Sequence, residues 1–311
     1  MGDKTTRQNQ HYVPQFILRR FHNEDGRLHV YDKWTRRSFV SSARNVAAET
    51  GFYDIKVENE VVTLEPVMCE IESAALGAIN ALTDNASLAS MSVEDKYAVA
   101  YFFGVQAMRT RSARDLVKQM QEAFRRILPE KNLQESDLPA GFFMDEEQLR
   151  MASLMNLRIA DELTPHLLNK AWLLNQAPPE CSFLISDNPL ARHNDHTSDL
   201  RGNGGLACRG IQIHMPLSPT VTLSFLCETL IAPFREYRRT RLCPGEPLPL
   251  LDAIDFGRPL PIANDSVTHL NSLQVANATR FVFASNDDFS LVERMLDENP
   301  NLAKPDQVVV R

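Results

Sequence analysis

The sequence predicts an α+β protein: a mainly helical N-terminal half with a small β-hairpin, followed by a mostly antiparallel β-sheet with flanking helices. Three observations carry this. Residues 65–83 and 92–128 repeat apolar side chains with a helical period. From residue 182 onward the pattern changes to short apolar runs at 182–186, 211–214, 221–226 and 280–284, separated by loops rich in Gly, Asn and Pro. A hydrophobic content of 43% with 23% charged residues is ordinary for a globular chain, and no apolar run approaches membrane-spanning length.

Taken in order, residues 13–21 read as a short helix with Pro14 in its first turn, where the missing N–H is harmless. The Asn23-Glu24-Asp25-Gly26 turn leads into alternating residues at 28–31 and 38–40, a hairpin around Trp34. Residues 43–49 suggest one or two helical turns, and 52–55 with 61–64 suggest edge strands. Val67, Ile71, Ala74, Ala75 and Ile79 form the apolar stripe of the 65–83 helix. The next helix opens at Ser92 with a capping box and is expected to continue to Leu128, before Pro129. Further helices are expected at 145–162, 164–174, 265–278 and 288–297, with loops at 191–210 and 243–262. The chain reads as a single composite domain, 1–311. A subdivision into 1–128 and 144–311, joined by a charged, Pro-containing linker at 129–143, is the alternative.

The five cysteines, Cys69, Cys181, Cys208, Cys227 and Cys243, form no C-x-x-C pair and suggest small buried side chains in a reducing compartment. The opening residues lack the apolar segment of a secretory signal, so a cytoplasmic location without a membrane partner is expected. Gly2 and Thr6 match only the short, common myristoylation pattern. The net charge of −7 argues against a uniformly basic nucleic-acid-binding surface. Charge is nevertheless segregated. Residues 1–44 hold nine Lys/Arg against four Asp/Glu, and residues 101–126 hold six against two. Such segregation either focuses an anion into one cleft or reflects solvated faces on separate helices.

Four polar signatures stand out. His11 precedes the proline-started helix, with Gln15 and Arg19 one and two turns further on. This suits a general base beside anion-binding donors, or a tether for the N-terminus. Gln106 and Arg109 interrupt an apolar helix, where they must either face a cleft or pair with a carboxylate such as Glu70 or Glu72. The apolar run 182–186 ends in Asp187-Asn188-Pro189, which places a carboxylate at a strand end or simply turns the chain. His193 and His196 have H-x-x-H spacing in a polar loop, a further metal candidate. His214 reads as a structural histidine at a strand end, and no nucleotide-binding glycine loop or zincin motif is present.

Together these segments resemble a family known as DUF4238, over nearly the whole chain. The resemblance rests on residues 11–21 (H-x-V-P-Q…R-x-F), 45–53 (N-V-A-A-E-T-G-F-Y), 106–110 (Q-x-x-R-T), 186–189 (S-D-N-P), 216–219 (P-L-S-P) and the 271–274 and 280–285 segments. Many members have two histidines before V-P-Q, where this chain has Gln10 and His11. The resemblance implies no established activity.

The separated polar residues are expected to converge between the helices and the later sheet. The chemistry most coherent with them is metal-assisted phosphodiester hydrolysis of nucleic acid, as in a nuclease serving as a defence or toxin effector. In that reading His11 is the base, Glu72 and Asp187 are bases or ligands of a divalent metal ion, and Arg109 stabilises the developing phosphorane. Gln15, Arg19, Gln106 and Asn188 would bind the ligand. Metal candidates are His11 and Asp187, with His193 and His196 beside them. The alternatives are a non-catalytic module for a nucleotide, anion or protein partner, and a network that only pins the N-terminal segment. Oligomeric state is left open.

Overall fold

The computed structural model describes residues 9–57, 60–195, 204–241 and 247–304. The chain opens with β1 (Asn9–His11), α1 (Gln15–Leu18) continued by a 3-10 turn at Arg19–Phe21, the hairpin β2 (Leu28–Asp32) and β3 (Arg37–Ser41), β4 (Ala48–Thr50), and the ribbon β5 (Asp54–Val57) and β6 (Glu60–Thr63). Helices α2 (Glu65–Asp84), α3 (Val93–Met108), α4 (Arg111–Ile127), α5 (Glu146–Met155) and α6 (Ala160–Leu168) follow. Then come β7 (Ala171–Gln176), β8 (Ile185–Ser186), β9 (Ala191–His193), β10 (Gln212–Pro216), β11 (Val221–Leu226), α7 (Glu228–Arg241) and α8 (Pro249–Phe256). The last elements are β12 (Pro259–Pro261), α9 (Asn264–Asn277), β13 (Phe281–Ala284) and α10 (Ser290–Glu298). This is the α+β class. No helix among the described residues is long and apolar enough to cross a membrane.

Two sheets organise the fold. One has the order β12-β7-β11-β10-β9 and is antiparallel except for the β12–β7 pair. Every residue of β11 is buried, as expected for a central strand covered on both faces. The other sheet, β3-β2-β13-β8, joins the early hairpin to the last strand, so early and late parts of the chain share one sheet. The main core runs from α1 through α2 and α3 to β11. Phe102 meets Phe16, Phe103 meets Phe225, and Phe225 meets Trp172. Gly104 lies where α6 crosses α3: a Cβ there would stand 3.1 Å from the Ala160 carbonyl oxygen.

Several sequence expectations need correction. Residues 48–50 are a strand, because β1 pairs with them through Asn9–Thr50 and His11–Ala48. The expected 92–128 helix is two helices. Thr110 adopts an extended backbone, and its hydroxyl accepts from the Ala113 amide to cap α4. The 164–174 helix ends at Leu168, and 171–176 pairs with β11 instead. Strand β9, helices α7 and α8 and strand β12 were not expected, since pairing partners and tertiary packing define these short elements. Cys69 is exposed on α2 and Cys181, Cys208 and Cys227 are only half-buried, not fully buried as expected. Cys243 lies outside the described residues.

Gly257 closes α8 with a left-handed backbone, φ 63°, while its carbonyl accepts from the Leu88 amide at 2.7 Å. An added Cβ would stand 2.5 Å from the Ala89 nitrogen. Gly257→Ala is therefore expected to lose about 2–4 kcal/mol in urea unfolding, from backbone strain plus displacement of the 88–89 backbone. Gly26→Ala has the same kind of φ, 70°, but nothing within 4 Å of a Cβ. It should lose only about 1 kcal/mol. Equal losses at the two sites would refute the close approach at Gly257.

Candidate functional site

The site begins at the β1–β4 pairing, which holds residues 9–11 against the body of the protein. His11 is 8% exposed, and its Nε2 lies 3.2 Å from the Ala43 carbonyl oxygen. A carbonyl can only accept, so in the neutral ring Nε2 carries the hydrogen and Nδ1 the lone pair. Burial lowers the His11 pKa below its ordinary 6.5, with the Ala43 and Arg44 carbonyls and the Glu72 charge opposing. Nδ1 meets the Gln15 side-chain amide at a long 3.4 Å, and Arg19 donates to the Gln15 carbonyl oxygen at 2.8 Å. The one-turn spacing of Gln15 and Arg19, with His11 at the end of β1 ahead of them, makes one run, with Arg19 exposed at its outer end.

A second run joins the same segment from below. The Gln106 amide donates to the Tyr12 carbonyl at 2.9 Å, and its own carbonyl accepts from Arg109 Nε at 2.8 Å. Arg109 Nη1 donates to Glu72 Oε1 at 2.8 Å. The Arg109 side chain is wholly out of water, whereas that of Glu72 is 25% exposed. Its guanidinium lies 5.5 Å from the centre of the Phe102 ring, and Nη2 has no hydrogen-bond partner. Tyr53 adds a third hold: its hydroxyl donates to the His11 carbonyl at 2.9 Å, and its amide donates to Gln10 Oε1 at 2.5 Å. Glu65 flanks this group, its pKa raised by burial and then by the Glu72 charge.

Asp187 belongs to a different network. It is 1% exposed, and its two oxygens accept from the amides of Thr279, Arg280 and Phe281 at 2.8, 2.9 and 3.0 Å. Burial raises its pKa to about 6, opposed by these amides and by the Lys33 ammonium. Lys33, also buried, donates to the Val275 and Ala278 carbonyls at the end of α9, where the helix dipole favours a cation. Burial lowers its pKa to about 8. Asn188 donates to the Asn277 carbonyl at 3.1 Å, and Gln274 donates to the Pro189 carbonyl at 2.7 Å. Asn271 serves the Leu184 amide and the Ser182 carbonyl. The polar face of α9 therefore fastens the 182–190 segment.

The expected single cleft is thus two networks. His11, Gln15, Arg19, Gln106, Arg109 and Glu72 gather around residues 10–12, while Asp187 and Asn188 tie β8 to β13 and α9. With its oxygens taken by three amides, Asp187 is not disposed as a metal ligand or base beside His11. Among the described residues no group of three or more His, Cys, Asp or Glu side chains is placed to hold a metal ion. His193 bonds to Asp195 at 2.9 Å and meets the His269 ring edge-on, and His196 lies outside the described residues. His214 is a buried strand histidine whose Nδ1 lies 2.7 Å from Ser224 Oγ. Sequence reasoning passed over Tyr53, Lys33 and Glu65. Only the F-Y pair of the 45–53 signature pointed to the first.

The 9–288 span of the chain matches a family model described as a protein of unknown function, DUF4238. The chain belongs to this family. No curated protein and no solved structure matches the chain. The DUF4238 signature segments therefore divide by network: 11–21, 45–53 and 106–110 build the His11–Arg109 cluster, and 186–189 with 271–274 build the Asp187 clamp.

Two outcomes follow from these networks. Glu72→Gln leaves the Arg109 charge without a counter-ion and should lose about 2–4 kcal/mol in chemical denaturation, reduced somewhat because Glu72 reaches solvent. Glu72→Leu combined with Arg109→Leu should be less destabilised than the sum of the single changes, and strict additivity would show that the pair is not coupled. Burial also lowers the His214 pKa to about 3 from 6.5. Between these values the unfolded chain binds the extra proton, so stability is full above pH 6.5 and falls on acidification. The slope is up to about 1.4 kcal/mol per pH unit. His214→Gln should remove that contribution, visible as a flatter dependence of melting temperature on pH below 6.5.

Proposed function

We propose that the protein hydrolyses phosphodiester bonds in nucleic acid, with His11 as the general base. The observation that carries this reading is the state of His11. It is neutral through burial, its Nε2 hydrogen is committed to the Ala43 carbonyl, and its Nδ1 lone pair is turned toward Gln15 and Arg19. The weak 3.4 Å contact with Gln15 is readily exchanged for a water or hydroxyl to be deprotonated. Arg19, exposed and two turns along the same face, is the group suited to receive a phosphate. Arg109 takes a different part from the one expected of it. Wholly buried, it positions Glu72 and the Tyr12 carbonyl, so the role of charge stabiliser passes to Arg19. The basic residues of the N-terminal segment and of α4 favour a polyanionic substrate.

A second reading, binding without turnover, is favoured by the closure of the Gln106–Arg109–Glu72 run, which is largely satisfied without any ligand. The two readings separate in one experiment. The protein is incubated with single- and double-stranded DNA, with RNA and with nucleotides, each with and without magnesium or manganese, and products are resolved by electrophoresis. Cleavage that falls at least ~100-fold in His11→Ala and strongly in Arg19→Ala, with melting temperatures little changed, is the expected result. Tight binding with no product in any arm sinks the hydrolase reading.

The pH profile is a separate check. Because the His11 pKa is lowered, its basic form persists below pH 6.5, and the acid limb of kcat/KM should lie below that value. An acid limb above pH 6.5 would assign the base to another group.

A further inference from the structure

Helix α4 leaves its apolar side chains half in water. Leu116, Met120 and Phe124 follow one another at one-turn spacing and form a stripe along one side of the helix, yet they are 39%, 45% and 47% exposed. The side chains that α4 buries are instead Gln121 and Ala123. Gln121 is clamped on the backbone of Met144: its amide donates to the Met144 carbonyl at 3.4 Å, and its carbonyl accepts from the Met144 amide. That clamp fixes the rotation of α4 about its axis. On the side opposite the stripe, Arg111, Lys118 and Glu122 line a cleft of about 940 Å³ against α5, so the polar side of α4 is the one turned to the next helix.

The apolar patch extends beyond the helix. Phe142 meets Phe124 edge-on with ring centroids 5.9 Å apart and is 44% exposed, and Met144, tied to Gln121, is 38% exposed. The basic surplus of α4 is turned to the cleft, in Arg111, Arg114 and Lys118. Past Met120 the chain is balanced: residues 121–137 hold three Lys/Arg against four Asp/Glu. A nucleic acid or an anionic membrane calls for a cationic excess that this end of the patch lacks. A second copy of the chain needs charges that complement one another about a two-fold axis. Asp115 and Arg126 supply them: they lie three helical turns apart on one flank of the stripe, with Met120 between them. Asp115 is only loosely held, at 3.6 Å from Arg114 and 4.0 Å from Arg111. Arg126 makes no ion pair among the described residues, whereas its neighbour Arg125 is bound to Glu135 at 2.9 Å.

We propose that this face joins two copies of the chain, with α4 crossing α4 of the second copy in antiparallel sense at Met120. Leu116 then packs against Phe124 of the second copy, and Phe124 against Leu116 of the second copy, the reciprocal contact that a two-fold axis requires. Ridges of four-residue spacing on both helices interlock in the commonest class of helix packing. The same axis brings Arg126 beside Asp115 of the second copy, once on each side of the crossing. Two such patches with their rims bury on the order of 1,000 Å², at the low end for a specific contact, so the association is reversible and in the micromolar range. It is independent of the phosphodiester reading, because the stripe shares no residue with the His11 cluster.

The test is sedimentation equilibrium of the full-length protein between ~1 and ~200 µM, with the melting temperature of each variant recorded alongside. Wild type should pass from monomer to dimer across this range. Met120→Asp should stay monomeric with a melting temperature close to wild type, since the side chain it replaces is already half in water. Arg126→Asp should weaken the dimer about tenfold. Adding Asp115→Arg to it should restore the affinity, a recovery that a general loss of structure would not give. A wild type that stays monomeric throughout overturns the proposal. So does a dimer that Met120→Asp leaves intact, which would place the contact on another face. Co-sedimentation with phosphatidylserine vesicles should show no binding; binding by wild type that Met120→Asp abolishes would assign the stripe to a lipid surface and overturn the proposal.

Discussion

The buried guanidinium of Arg109 is the constraint around which the N-terminal half is arranged. A full charge removed from water is strongly unfavourable unless it is paired and hydrogen-bonded. Glu72 supplies the charge from α2, and Gln106 supplies an oxygen from the preceding turn of α3. Once its carbonyl is engaged by Arg109, the Gln106 amide is directed to the Tyr12 carbonyl, so one ionic group fixes two helices and the incoming chain together. The helix ends at the same place. Thr110 turns out of the helical conformation and starts α4 with a new cap.

Asp187 plays the corresponding part in the second network. Its carboxylate gathers three consecutive amides, and Lys33 beside it closes the end of α9. The hairpin carrying Lys33 is thereby bound to β13, which places early and late parts of the chain in one sheet. The two networks both reach Tyr12. There the Tyr12 carbonyl belongs to the Arg109 network, while its phenol senses the Asp187 charge. A short N-terminal segment thus touches both halves, and the group with catalytic character, His11, lies within it.

Much of this could be read from residue types and spacing. An arginine and a glutamine inside an apolar helix required a partner, and Glu72 was among the two carboxylates named for it. Gln15 and Arg19, one turn apart, had to share a face. The capping box at Ser92 and the alternation at 28–31 and 38–40 are local signals, and the elements they announce are present. The break at Thr110 was not legible, because its local sequence also suits a helix interior, and the extended backbone and hydroxyl cap that restart the helix there belong to the folded chain. Strand β7 was missed for a similar reason: Ala171–Gln176 has no alternation, since as an inner strand it is buried nearly throughout.

The sequence by itself determined the fold class and the family and singled out Gln106, Arg109 and Asp187, because these depend on periodicity, local capping chemistry and the cost of leaving polar groups in an apolar run. Tertiary structure alone decided that the clusters are two. Whether a carboxylate is a free ligand or a structural clamp depends on which donors fill its oxygens, and those on Asp187 come from the entry to β13, more than ninety residues away.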